Sequence, residues 1–204
     1  VIEEGVQNIA QGMFAYCDKL TSVAVPASVT NIGEYAFRYC ESLGGIWVAE
    51  GNPNYTNDTR GVLFNKNMTE LIQAPRKLSG GYTIPDSVMT IAPGAFFYCD
   101  KMSSVRISDN VTAIADETFR YCASLYLVVV GDSVTNIGEN AFQYCTNLTS
   151  LTMGESLVSI EEDAFHGCYM LTSVAFPDSL KTIGTRAFYY CTGLTSVTIP
   201  DSVH

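Results

Sequence analysis

A β-rich solenoid is expected from three regularities in this chain. Seven cysteines stand at positions 17, 40, 99, 122, 145, 168 and 191, and five of the six gaps between them share one period of 23. Each cysteine closes one phrase, as in Tyr35-Ala36-Phe37-Arg38-Tyr39-Cys40, Asn140-Ala141-Phe142-Gln143-Tyr144-Cys145 and Arg186-Ala187-Phe188-Tyr189-Tyr190-Cys191. A second phrase, of apolar residues alternating with small polar ones, recurs from Leu20, Met102, Leu125, Leu148, Leu171 and Leu194. A fixed period between 20 and 50 residues marks a stacked array, because one unit is too small to bury its own apolar face and neighbours must share a core. The expected architecture is a single right-handed solenoid over residues 1–204, with short parallel strands, short helical turns and one modified coil that carries a β-hairpin insertion.

Within a unit, positions one, four and six of the strand phrase are apolar, as Leu171, Val174 and Phe176 are, and this is the pattern of a short half-buried strand. It predicts parallel strands at residues 22–25, 104–107, 127–130, 150–153, 173–176 and 196–199, several of them stopped by proline. The next apolar pair, Val29 and Ile32 or Val134 and Ile137, points inward from an opposite wall and predicts a second short strand before a glycine. After the glycine, Ala36, Phe37 and Cys40 share one face at helical spacing, which predicts a single helical or 3₁₀ turn. Phe37, Phe96, Phe119, Phe142, Phe165 and Phe188 then stack in one buried column. Both ends of the sequence fall in the middle of a unit and show no polar cap, so the chain reads as a fragment of a longer array.

The one irregular gap, from Cys40 to Cys99, exceeds the period by 36. The strand phrase occurs twice in it, at residues 43–48 and 82–87, with no Ala-Phe-x-x-Cys between. Gly61-Val62-Leu63-Phe64 and Thr69-Glu70-Leu71-Ile72 flank the polar turn Asn65-Lys66-Asn67-Met68 and read as a hairpin. The modified coil with its insertion therefore spans about residues 43–85.

Composition narrows the partners. The 11 basic and 21 acidic side chains give a net charge of −10, which repels nucleic acid and anionic lipid. The longest apolar run, Leu125 to Val130, is far short of the roughly 20 residues of a membrane helix, so no membrane insertion is expected. Cysteines in equal phase stand above one another about 4.8 Å apart and point the same way. A ladder of that kind offers neither the facing geometry of a disulfide nor four ligands converging on a metal, so seven buried free thiols are expected, with no metal and no cofactor. The tyrosines before the cysteines, among them Tyr39, Tyr98 and Tyr144, are expected to pack half-buried with their hydroxyls in solvent. His166, beside Glu162 and Asp163, reads as a solvated surface histidine. Asn52, Asn54, Asn57 and Asp58 lack the order of a calcium loop and read as loop caps. Repetition supplies like groups in rows, whereas catalysis needs unlike groups converging in a cleft, so no catalytic residue is assigned.

The unit meets the first three apolar positions of Leu-x-x-Leu-x-Leu-x-x-Asn/Cys. With Ala-Phe-x-x-Cys at period 23 and Ile-Pro-x-Ser-Val, it resembles the BspA-like leucine-rich repeat surface proteins over nearly the whole chain. The resemblance implies a cell-surface or secreted protein, an adhesin that meets proteins or glycans of a host or microbial surface.

The outward strand positions are mostly small, as at Thr21, Ser22, Thr149, Ser150, Thr172 and Ser173. Trp47, Arg106, Tyr126, Leu127 and Val129 depart from that background and are the candidate ligand-binding residues, since tryptophan, tyrosine and arginine are typical anchors of protein interfaces. The rival reading is a spacer that presents another domain of a longer protein, for which a repetitive Thr/Ser face is sufficient.

Overall fold

Strands of two to six residues cannot stand alone, so here each is held by the coil before it and the coil after it. The computed structural model describes residues 2–204. Strands β1 (Asn8–Ile9), β2 (Val23–Val25), β3 (Asn31–Ile32) and β4 (Ile46–Val48) open the array. An excursion follows, holding β5 (Tyr55–Asn57), β6 (Leu63–Asn65) and β7 (Glu70–Gln73). Regular coils then supply β8 (Ser79–Thr83), β9 (Thr90–Ile91), β10 (Lys101–Arg106), β11 (Ala113–Ile114), β12 (Leu127–Val129) and β13 (Asn136–Ile137). The array continues with β14 (Ser150–Thr152), β15 (Ser159–Ile160) and β16 (Thr182–Ile183), making a parallel-strand β-solenoid of about eight coils.

One row of strands pairs in parallel as β2 with β4 and as β8, β10, β12 and β14 in sequence. Val105 lies beside Val128 and Val128 beside Leu151, one period apart each time. A second row pairs β1 with β3 and β11 through β13 and β15 to β16, again in parallel. In the excursion, β6 runs antiparallel to both β5 and β7, and β7 then joins β9 in parallel, taking the second-row place of its coil. Residues 173–176 and 196–199 are not strands. The apolar side chains that would pin them are only half-buried at Val174 and Phe176 and exposed at Val197 and Ile199, so the first row ends at β14.

The expected helical turns are absent: the turn phrase forms a run of successive β-turns instead. The Ala36 N–H donates to Gly33 O at 3.2 Å and the Arg38 N–H to Tyr35 O at 3.0 Å. Tyr35 and Tyr39 sit at φ 57° and 62°, in the left-handed region, which interrupts a right-handed helix. The same conformation recurs at Tyr98, Glu117, Tyr121, Asn140, Tyr144, Asp163, Arg186 and Tyr190. A helix would tie these N–H groups within the coil, whereas the turns aim them at the next one. Phe119 N–H donates to Ala141 O at 2.7 Å and Tyr121 N–H to Gln143 O at 2.8 Å, and the pattern repeats along the wall. The unit's glycine follows from the same stacking, because a Cβ on Gly184 would lie 2.6 Å from backbone atoms of the preceding coil.

The phenylalanines stack ring on ring, with centroids 4.9 Å apart for Phe96 and Phe119, 5.1 Å for Phe119 and Phe142, and 5.0 Å for Phe142 and Phe165. Phe37, Phe96, Phe119, Phe142 and Phe165 are buried, but not in one column: Phe37 stacks on Phe14 in the first core cluster because the excursion stands between it and Phe96, and Phe188, near the open end of the second column, is half-buried. Beside them each of the six buried thiols donates to a carbonyl of the preceding coil, as Cys122 does to Phe96 O and Cys145 to Phe119 O at 3.2 Å each. All seven cysteines are free, but Cys17 is exposed where burial of the full set was expected, because among the described residues no earlier coil covers it.

The core is divided in two at the excursion. Strand β6 stands between the halves, with Leu63 packed into the first cluster and Phe64 into the second, both fully buried. Asn52 is also fully buried; its amide donates to Pro26 O and Val29 O, and its oxygen accepts from the N–H groups of Asn54 and Tyr55.

The buried column and the thiol ladder can each be tested. Phe142→Ala should lower stability by about 3–5 kcal/mol, as deletion of a large buried ring does, measured by urea unfolding. Native protein should show one fast thiol, Cys17, and six slow ones, with all seven reacting once unfolded. Burial pushes Cys99, Cys122, Cys145 and Cys168 above the ordinary thiol range. The folded protein therefore keeps protons that the unfolded chain releases, so stability is intact below about pH 8.5 and falls as pH rises beyond it. A melting temperature flat from neutral pH to pH 10 would contradict that burial.

Candidate functional site

The outward sheet is built by alternation: Val105 and Val128 point into the core, which turns Ser104, Arg106, Leu127 and Val129 outward. Arg106 pairs in register with Val129 on one side and Thr83 on the other, and Val129 with Thr152. Leu127 lies between Ser104 and Ser150. Leu127 and Val129 are half-buried among their small neighbours, whereas Arg106 is exposed and Tyr126, just before β12, is 50% exposed. Arg106 makes no ion pair among the described residues. A cation and apolar surface thus adjoin on two neighbouring strands whose backbones are fixed from both sides, with the Tyr126 ring exposed at the entry to the second.

Trp47 does not join them. It sits on β4, whose ladder contains only β2, and its indole lies over Gly45, where a Cβ would come within 2.6 Å of the ring. Between β4 and β8 the excursion drives a wedge, residues 57–61. On one side Ile46 N–H donates to Gly61 O at 3.0 Å and Val48 N–H to Asn57 Oδ1 at 2.7 Å. On the other, the Arg60 guanidinium donates to Ser79 O and Gly81 O of β8. Asp58 locks the wedge, with one carboxylate oxygen accepting from the N–H groups of Arg60 and Val62 and the other from the Tyr82 hydroxyl at 2.8 Å. Burial, helped by the Asp58 carboxylate, pushes the Tyr82 phenol well above the ordinary tyrosine range, so it stays a donor. No sequence motif marks Asp58, Arg60 and Tyr82, because they act through chain segments that lie in different coils.

The turn wall is occupied by its own packing. Rings of Tyr98 and Tyr121 stack at 4.5 Å and those of Tyr121 and Tyr144 at 5.1 Å. Where the modified coil leaves the wall short, Arg38 lies 3.9 Å over the Phe97 ring and pairs with Glu117 at 2.6 Å, and Glu117 also takes Arg120. Gly94, at φ 64°, takes the left-handed wall position that Tyr35 and Glu117 hold in the flanking coils. His166 is not solvated: its side chain is 14% exposed, bonded to Asp163 at 3.1 Å and flanked by Tyr144 and Tyr189. The reason is its place in the turn, where His166 and Asp163 face each other across the bend. Among the described residues no three His, Cys, Asp or Glu side chains converge as metal ligands do.

A family model described as BspA type leucine rich repeat region matches residues 1–75 and 81–195, in six copies. A leucine rich cell surface protein from Faecalibacterium prausnitzii has a similar structure, with a TM-score of 0.86 and 31% identity over 96% of this chain and 58% of that one. A leucine-rich repeat protein from Eubacterium ventriosum gives 0.79 and 26% over 99% of this chain and 60% of that one. One from T. pallidum gives 0.60 and 27% over 72% and 68%. The chain thus spans less than two thirds of the first two structures. No curated protein matches it.

The wedge makes its own test. Arg60→Ala removes two charge-assisted bonds to the edge of β8, and a loss of about 1.5–3 kcal/mol is expected in chemical unfolding. Arg60→Lys should restore only part of it, since a point charge does not span two carbonyls as a planar fork does. Amide exchange should quicken first in β4 and β8; quickening confined to β12 or β14 would place the strain elsewhere.

Proposed function

The chain belongs to the BspA-type leucine-rich repeat family, and from that premise we propose a non-catalytic recognition module of a cell-surface or secreted protein that holds proteins or glycans of a host or microbial surface. The observation that carries this reading is the register of Arg106 beside Val129, with Leu127 on the same strand and Tyr126 exposed just before it. These side chains combine charge, ring and apolar area, the composition of energetic anchors. Their strands are paired on both sides, so little backbone freedom remains to be lost on binding. Trp47 forms a separate, smaller patch, engaged only by a partner long enough to cross the wedge. The surface location rests on the Faecalibacterium prausnitzii relative, itself described as a cell surface protein. No catalytic family is indicated by the match.

A panel of purified extracellular glycoproteins and an immobilised glycan array provide the test. The Arg106→Ala, Tyr126→Ala double variant should bind about thirtyfold more weakly, the loss of a central anchor of about 2 kcal/mol, while its thermal stability stays near that of the parent. Equal binding by both proteins, or a partner footprint confined to the tyrosine wall, would overturn the sheet as the recognition face. Absence of any ligand across both panels is the behaviour of a spacer.

A further inference from the structure

Away from the sheet, a cleft of about 570 Å³ opens where the excursion meets the second coil, within the size range of small-ligand sites. Strands β5, β6 and β7 line one side and the turn from Gly33 to Phe37 the other. The cleft borders the division between the two cores, and its floor is apolar, made by Ile32, Phe37, Leu63 and Ile72.

The rim is polar, and several of its donors already hold backbone carbonyls. Lys66 Nζ donates to Asn52 O at 2.7 Å, the Asn54 amide to Thr30 O at 2.8 Å, and the Gln73 amide to Ala74 O and Ala95 O. The Tyr55 hydroxyl accepts from Ile32 N–H at 2.9 Å. The acceptors are not committed. Neither Glu34 nor Glu70 has a cationic partner among the described residues, and the side-chain oxygens of Asn54 and Gln73 accept no bond. A cleft with unspent acceptors, two carboxylates against the single ammonium of Lys66, and an apolar floor, in a chain of net charge −10, suits a ligand that brings donors, positive charge and an aliphatic stem.

We propose that this cleft binds a basic peptide segment, an arginine or lysine side chain lying along the floor with its charged head between Glu34 and Glu70. Anionic ligands meet repulsion here. A neutral saccharide finds acceptors but leaves both carboxylates without a counter-charge, whereas a guanidinium supplies that charge and a planar fork of donors that meets a carboxylate with two parallel bonds. The site is separate from the outer sheet and does not depend on that face binding anything.

Fluorescence anisotropy with a labelled Ala-Arg-Ala-Arg-Ala peptide tests it. Binding is expected to weaken as salt is raised, and to fall about tenfold or more when citrulline replaces arginine, which keeps the shape and removes the charge. The Glu34→Gln, Glu70→Gln double variant should lose a similar factor, and Arg106→Ala should change nothing. Asn67→Lys, which sets a cation on the rim, should weaken binding as well and stands in if the double variant melts early. No binding by the parent protein, equal binding of the citrulline peptide, unchanged affinity in a folded rim variant, or preferential binding of maltotriose would each overturn the proposal.

Discussion

Backbone hydrogen bonds from each coil to the next are the constraint on which this structure rests. Along the turn wall the N–H groups of Phe96, Phe119, Phe142 and Phe165 donate to the carbonyls of Thr118, Ala141, Ala164 and Ala187 in the following coil, so no unit satisfies its own backbone. Forming those bonds requires left-handed residues at two places in every turn, six of them tyrosines next to the cysteine. A non-glycine residue there costs about 1–2 kcal/mol. Stacked rings return about 0.5–1.5 kcal/mol per pair, and the hydrogen bonds about 1 kcal/mol each, so the strain is offset only when coils are stacked. Gly167 is the one unit without a tyrosine at that place, and the Tyr144 ring lies where its side chain would be.

The same dependence explains what the excursion does. Where the first strand row is interrupted between β4 and β8, the two facing edges have carbonyls and N–H groups that need other partners. Here side chains replace the missing strand, Asn57 serving β4 and Arg60 serving β8, with Asp58 and Tyr82 fixing both. Buried Asn52 does the same for the loop that begins the excursion. One interruption therefore separates Trp47 from Arg106 on the sheet and opens the cleft beside Glu34 and Glu70 on the wall side. The cleft owes its position to that departure from the repeat, whereas the Arg106 patch lies on regular coils.

The period of the repeat determined by itself which residues are neighbours. Equal phase is equal position in successive coils, so the phenylalanine column, the thiol ladder and the pairing of Arg106 with Val129 were all legible without coordinates. Side-chain periodicity does not report backbone hydrogen bonding, and Ala36, Phe37 and Cys40 occupy one face equally well in a helix or in a run of β-turns. Only stacking chose the turns, because it offered each N–H a partner in the next coil. Position in the array decided the rest: Cys17 and Phe188 share their neighbours' motif but not their cover, and residues 173–176 keep the strand pattern without a ladder. The separation of Trp47, the packing of His166 and the polar cleft were set by unlike segments that only the folded chain brings together, where a repeat that encodes like beside like carries no signal.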